Sequence, residues 1–336
     1  YDIALKLDIS PATVSRGLNN HFSVSKKTHK QITDTAKSMG YRSNLFAKNL
    51  RWQKTRTLGV IVQTLNSNFI ASVLSGIENV ANKSGYNLII SQSQESQAKE
   101  VINVETMFTT RVDGLIVSLA FDTKDVSHFD SFFNKGIPVV FFDRISFGKS
   151  STNVVIDNFK AGYEATKHLI EQGCNQIAHI TGYLSRNVYE DRMKGYRQAL
   201  AEHNISFDEK YVIVNNMDEQ SAIDAAKQLL AMNPMPDGIF ITNDNVAIIC
   251  MQTLKDAGYK IPGDIAIVGF NNDLISRVVD PKLTTINYPG QEMGEIVAHT
   301  LVNHLDGIAP LTVTSTIILK SELIVRESSL KRNKKG

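Results

Sequence analysis

Ile9-Ser10-Pro11-Ala12-Thr13-Val14-Ser15-Arg16-Gly17-Leu18-Asn19 is the stretch whose reading decides the first part of the fold. Ser10 is a good N-cap, and Pro11 suits the first helical position because proline lacks an N–H that the first turn leaves unpaired anyway. Val14 and Leu18 lie four apart and face inward, which leaves Pro11, Ala12, Ser15, Arg16 and Asn19 facing out. Short side chains around one long bidentate donor make a reading face. Upstream, Ile3, Ala4 and Leu7 share one side of a short helix, and Asp8-Ile9 interrupts it with a residue type that tolerates turn geometry. Downstream, a third helix is predicted from about Ser25 to Met39, with Ile32, Ala36 and Met39 on one stripe and Gly40 as its stop. Three short helices give residues 1–43 a minimal core, a small all-α helix-turn-helix headpiece.

The formal net charge of +2 hides an asymmetry. Residues 1–57 carry eleven Lys and Arg against three Asp, a balance of +8, so the rest of the chain is at −6. A basic module joined to an acidic body is what a phosphate-binding surface tethered to an unrelated domain looks like. At 336 residues the chain is too long for one ordinary core, and 42% hydrophobic with 21% charged residues argues against disorder and fibres. No apolar run approaches the roughly 20 residues that span a bilayer. The opening stretch YDIALKLDIS lacks the basic flank and apolar run of a signal peptide, so a cytoplasmic location with no membrane partner is expected. Cys174 and Cys250 stand far apart, each within an apolar or helical stretch, so neither a disulfide framework nor a metal pair is suggested, which fits a reducing compartment. The chain opens on Tyr1 and not Met, so contacts made by preceding residues lie outside it.

From Thr57 short apolar strands alternate with amphipathic helices, the pattern of a parallel sheet with crossover helices. Strands are predicted at 57–63, 86–91, 113–118, 137–142, 153–156, 176–181, 211–215, 237–241 and 264–269, with further pieces at 284–287 and 312–319. That is too many for one open sheet, so an α/β sensor of two doubly wound lobes is expected over 57–330. Lobe one takes about 57–173 and 287–313, lobe two about 174–286 and 314–328, and 329–336 form a basic tail without heptads.

Open parallel sheets bind ligands outside the carboxyl ends of their strands. The residues there are Asn66, Phe69, Ser118, Asp143, Arg144 and Asp157 in the first lobe, and Arg192, Asn243, Asp244 and Asn271 in the second, with Tyr288 near a crossover. Carboxylates, amides, a guanidinium and aromatic faces suit a polyhydroxylated effector such as a sugar. No GxGxxG, P-loop, nucleophile elbow or HExxH occurs, and His168, His179, His299 and His304 are scattered, so neither catalysis nor a cofactor nor a metal is expected. An exported solute-binding protein would share the sensor architecture but has no use for a basic headpiece.

Tyr1-Asp2-Ile3-Ala4, the run Ile9 to Arg16, Leu18-Asn19, Val24-Ser25, Thr28 and Gly40-Tyr41 together resemble the headpiece of the lactose-repressor and galactose-repressor family of bacterial regulators. The resemblance implies that the helix from Pro11 lies in the major groove of operator DNA. Pro11, Ala12 and Arg16 then fall at base-reading positions, and Thr13, Ser15 and Asn19 near phosphates. Residues 44–56 match the family's hinge, whose short helix is too small to hold alone and folds when two copies meet over the minor groove. Leu50 takes the place of the wedging leucine and Ala47 that of the small residue before it. Since one headpiece covers only a half-site, a homodimer is expected.

The likeness continues through Leu58-Gly59-Val60-Ile61, Asp113-Gly114, Asp157-Asn158, Arg192 with Gly195-Tyr196, Asn243-Asp244, Gly269-Phe270 and Leu283-Thr284-Thr285-Ile286. It implies a fold similar to a periplasmic sugar-binding protein, with the effector between the lobes and Asp157, Arg192, Asn243 and Asn271 foremost in holding it. Two departures bear on the effector. Asn66-Ser67-Asn68-Phe69 replaces the usual Asn-Pro-Phe-Phe, and Gly269-Phe270-Asn271-Asn272 replaces Gly-Phe-Asp-Asp. The second removes a formal negative charge, so no relative's sugar transfers and a carboxylated or phosphorylated effector becomes more tolerable.

Overall fold

The computed structural model describes residues 2–41, 55–145, 152–311 and 315–331. The chain forms two compact units, Tyr1–Thr55 and Arg56–Gly336.

In the first unit, α1 (Asp2–Leu7), α2 (Pro11–Leu18) and α3 (Lys26–Ser38) close on Ile3, Ala4, Val14, Ile32 and Ala36. Asp8 turns the chain between α1 and α2 at φ +52°, a left-handed conformation that Asp accepts because its short side chain can bond locally. Gly17 brings α2 against α3, since a Cβ there would overlap Ile32 Cδ1. Gly40 follows α3 at φ +63°, as its reading as a stop requires. Met39 departs from the expected inward stripe: it is the C-cap of α3 and 39% exposed, because the helix is already unwinding there.

The second unit holds β1 (Thr57–Val62), β2 (Asn87–Gln92), β3 (Gly114–Val117), β4 (Val139–Phe142), β5 (Thr152–Ile156), β6 (Ile177–Thr181), β7 (Val212–Val214), β8 (Gly238–Ile241), β9 (Ala266–Asn271), β10 (Thr284–Asn287), β11 (Ser315–Leu319) and β12 (Glu322–Ile324). They make two six-stranded sheets, ordered β2-β1-β3-β4-β5-β11 and β7-β6-β8-β9-β10-β12. Every pairing is parallel except β10 with β12. The central strands β3, β4 and β8 are buried throughout, because helices cover both faces, and this is why they read as continuous apolar runs.

The covering helices are α4 (Asn68–Lys83), α5 (Gln97–Thr109), α6 (Asp130–Asn134), α7 (Asn158–Glu171), α8 (Asn187–Glu202), α9 (Glu219–Leu230), α10 (Asp244–Asp256), α11 (Ile275–Val278) and α12 (Gly290–Leu305). Each lobe contains one pair of helices that cross backbone to backbone on glycine. In the first lobe a Cβ on Gly76 would strike Gln291 O, and one on Gly294 would strike Val73 O. In the second, Gly162 faces Arg192 O and Gly195 faces Phe159 O in the same reciprocal way.

This packing moves the expected lobe limits. Helix α7 packs on α8 and on β8, β9, β10 and β12, so the chain enters the second lobe at Asp157 and not near residue 173. Strand β11, expected in the second lobe, pairs with β5 of the first, and the chain returns to the second lobe only with β12. Ser329, expected to open a tail, has no exposed surface. Its hydroxyl bonds His168 Nε2 at 2.7 Å and Thr284 Oγ1 at 2.6 Å, which pins the C-terminal segment to α7 and β10.

Candidate DNA-reading face and interlobe cleft

Ser10 Oγ accepts from Thr13 N at 3.1 Å and bonds Thr13 Oγ1 at 2.8 Å, which fixes the start of α2. Ser25 and Thr28 repeat the same cap at α3 with the same two distances. On α2, Pro11, Ala12, Ser15, Arg16 and Asn19 are exposed and Thr13 is half-buried. Asn19 donates from Nδ2 to Ser15 O at 2.8 Å and so lies along the helix, leaving Arg16 as the long free-standing donor of the face. Ala47 and Leu50 lie outside the described residues.

In the sensor, Tyr288 joins the lobes just after β10. Its ring stacks on Phe69 at 4.1 Å between centroids, meets Phe270 edge-on at 5.7 Å, and its hydroxyl donates to Asp143 Oδ1 at 2.5 Å. Asp143 Oδ2 accepts from Ser118 Oγ at 3.4 Å. Burial pushes the Asp143 carboxyl above its usual range, opposed by Arg144, the Tyr288 bond and Arg192.

Arg192, only 3% exposed, places its guanidinium carbon 3.6 Å from the Phe270 centroid and donates from Nε to Asn158 Oδ1 at 2.9 Å. One helical turn earlier, Tyr189 stands between two arginines: its centroid is 5.7 Å from Arg192 Cζ and 5.6 Å from Arg144 Cζ. Arg144 donates from Nη1 to both oxygens of Glu95, at 2.8 and 2.7 Å, and from Nη2 to Tyr189 OH at 3.4 Å. The two lobes are further joined by Asn187, which accepts from Ile145 N at 3.1 Å and donates to Asp143 O at 3.0 Å. Aromatic rings, buried guanidinium groups and a carboxylate thus converge at the carboxyl ends of strands from both sheets.

Residues 1–44 match the family described as bacterial regulatory proteins, lacI family, and residues 166–329 match the periplasmic binding protein-like domain. Catabolite control protein A of Priestia megaterium is 31% identical over 319 residues, covering 95% of each chain. This chain belongs to the lacI family of bacterial regulatory proteins. Among solved structures, a transcriptional regulator CelR–cellobiose complex is 26% identical with a TM-score of 0.75, covering 97% of this chain and 98% of that one. The lac repressor dimer bound to operator and the anti-inducer ONPF has the same fold at a TM-score of 0.87, with 23% identity and 98% of each chain covered. As a member of the lacI family the protein is a DNA-binding transcriptional regulator with an effector-binding domain, in a family that is not enzymatic. No helix among the described residues is long and apolar enough to cross a membrane.

Of the sensor residues singled out in this lacI-family chain, Phe69, Ser118, Arg144, Arg192 and Tyr288 come together with Asp143. Asn243 and Asn271 are half-buried at strand ends, with Asn243 capping α10 through Val246 N at 3.1 Å. Asn66 is exposed. Two carboxylates make bonds within the fold. Asp157 is exposed and caps α7 through Lys160 N at 2.8 Å, while its neighbour Asn158 supplies the contact to Arg192. Asp244 has no exposed surface; it accepts from Thr285 Oγ1 at 2.7 Å and Asp273 N at 2.8 Å, and burial pushes it up to about 7. The strand-end reading overlooked Glu95, Asn158, Tyr189 and Phe270. Tyr189 had a signal, since it precedes Arg192 by three on one helix and so shares its face. Glu95 had none, being brought to Arg144 only by the fold.

Proposed function

We propose that this regulator is a homodimeric repressor of the cytoplasm that reads operator DNA with α2 and responds to a sugar or sugar derivative held between its lobes. Arg192 carries the reading: a buried guanidinium laid on Phe270, next to Tyr288 and Asp143, offers a polyhydroxylated ring both an apolar face and paired donors and acceptors. With it we group Phe69, Ser118, Asp143, Arg144 and Tyr288, which meet around it, and Asn243 and Asn271 at neighbouring strand ends. The cellobiose bound by the similar CelR regulator supports this ligand class.

On the DNA side, Arg16 donates its fork to a guanine edge, Pro11 and Ala12 contact bases, and Thr13, Ser15 and Asn19 touch phosphates. The hinge carrying Ala47 and Leu50 enters the minor groove. The operator-bound dimer of the similarly folded lac repressor supports pairing of two such chains. So does the apolar patch on and beside α11, where Leu274 is 71% and Val278 68% exposed, which a second copy would cover.

The experiment is a selection of duplexes from a random library by the purified full chain, followed by titration of the selected duplex with a sugar panel. Affinity for one recurring half-site pair, changed by one class of sugar, is the expected result. Retention of no sequence, or a selected site indifferent to every sugar, would overturn the corresponding half of the reading.

A further inference from the structure

Two arginines meet at the first turn of α8, and a third stands in the turn after it. Arg186 is its N-cap residue, Arg144 reaches Tyr189 in that turn, and Arg192 lies one turn further on. All are at least nine-tenths buried, Arg186 being 9% exposed. Only Arg144 is ion-paired, to Glu95; among the described residues neither Arg186 nor Arg192 is paired with a carboxylate.

The carboxylates within electrostatic reach of Arg186 are committed elsewhere. Glu95 holds Arg144 and accepts from Phe121 N at 3.0 Å. Glu100, wholly buried, accepts from Ala120 N and Thr123 Oγ1 and bonds His128 Nε2 at 2.9 Å. Asp122 accepts from Gln97 N at 2.6 Å. On the other side, Asp143 faces Arg192 but is bonded to Tyr288 and Ser118.

Arg186 is left with a backbone acceptor, Thr123 O in the first lobe, for Nη2, and its buried Nε has no hydrogen-bond partner. A buried guanidinium with an orphaned donor is costly unless something fills it. The N-terminus of α8 beside it carries no side-chain cap, so its free N–H groups add positive potential at the same place. Burial, and then repulsion from Arg144, draw the Arg186 guanidinium below its usual range against the pull of Glu100, Asp122 and Glu95.

We propose that the effector of this regulator carries an anionic group, a phosphate or a carboxylate on a sugar framework, which docks on Arg186 at the start of α8, beside Arg144. This rests on the sugar reading of the cleft and narrows it. An anion supplies the acceptors that Arg186 lacks, and it bridges the lobes because Arg186 itself spans them.

Matched ligands test it by calorimetry on the full chain: glucose with glucose 6-phosphate and glucuronate, and ribose with ribose 5-phosphate and ribonate. An anionic member is expected to bind at least about tenfold tighter than its neutral parent, since a charge-assisted hydrogen bond contributes that much. Preference for the phosphate or for the carboxylate names the source. Arg186→Gln should erase the ratio and Arg186→Lys should restore part of it. Should Arg186→Gln fail to fold, the wild-type ratio decides alone. A neutral parent that binds as tightly as its derivatives overturns the anion site while leaving the sugar reading intact. Binding by no member, neutral or charged, overturns the sugar reading and this inference with it.

Discussion

Arg192 and Phe270 lie face to face, the guanidinium carbon 3.6 Å from the ring centroid, while Arg192 Nε reaches Asn158 Oδ1 at 2.9 Å. One side chain on α8 therefore ties β9 and the first residue of α7 to the cleft. Arg192→Ala should lose the effector response, and because the side chain is buried the loss does not come alone. The variant should also lose about 2–4 kcal/mol of stability, from the cation–π contact, the charged hydrogen bond and the vacated volume. Arg192→Lys should recover charge and part of the stability but not the response, because an ammonium lacks the planar fork. Melting curves and effector titrations on both variants check this, and a response surviving in Arg192→Ala sinks the assignment.

Arg16 stands exposed on α2 with Asn19 folded back along the helix. Arg16→Ala should cost about 1–3 kcal/mol on the selected operator and little on random duplex. A competition titration separates the cases. Equal losses on both DNAs would move Arg16 from base reading to phosphate contact.

Leu50 tests the hinge. Leu50→Ala keeps helix propensity but removes the wedge, so operator affinity and DNA bending should both fall while sugar affinity of the free sensor stays the same. Gel shift, a bending assay and calorimetry on one preparation measure all three. Unchanged bending and affinity would make residues 44–51 a passive linker.

At the crossing of α7 with α8, Gly195 faces Phe159 O and Gly162 faces Arg192 O, so a methyl group at either meets backbone that cannot rotate away. Gly195→Ala should destabilise by about 1–3 kcal/mol and shift α8, which carries Tyr189 and Arg192. Gly263→Ala is the milder comparison: its nearest neighbour is Lys260 Cβ at 3.3 Å, a contact that a shift of a few tenths of an ångström relieves. Similar denaturant midpoints for the two variants would contradict the crossing argument.

Two buried groups should tilt stability with pH in opposite senses. Burial lifts Asp244 to about 7, so the folded state holds a proton that the unfolded chain releases near pH 4, and its contribution declines as pH rises from about 4 to 7. Burial draws His179 down to about 3, so its contribution is complete above the unfolded value of about 6.5 and is lost as pH falls towards 3. Asp244→Asn should therefore gain on wild type as pH rises to 7, and His179→Phe should gain as pH falls below 6.5. Denaturant midpoints across pH 4–7.5 check both signs.

Much of this was legible in the chain. The predicted strand at 57–63 appears at Thr57–Val62, that at 176–181 at Ile177–Thr181, and that at 284–287 at Thr284–Asn287, because apolar runs bounded by turn residues are local signals. Ser10 caps α2 and Gly40 ends α3 for the same kind of reason. The assignment of β11 to a lobe was not legible, since a strand's sequence states that it pairs but not with which of two sheets. Nor was the division of labour between Asp157 and Asn158, adjacent polar residues at one strand end, of which the helix cap took the first and Arg192 the second.

By itself the sequence determined the reading helix, the alternation of strands and helices, and the set of polar residues at the carboxyl ends of the sheets, because periodicity, caps and charge act over a few residues. Only the tertiary structure decided which of those residues share a cleft. Glu95 meets Arg144, Tyr288 meets Asp143 and Arg186 reaches Thr123 O across long stretches of chain, and whether each buried charge finds a partner depends on packing between elements that carry no mark of one another in sequence.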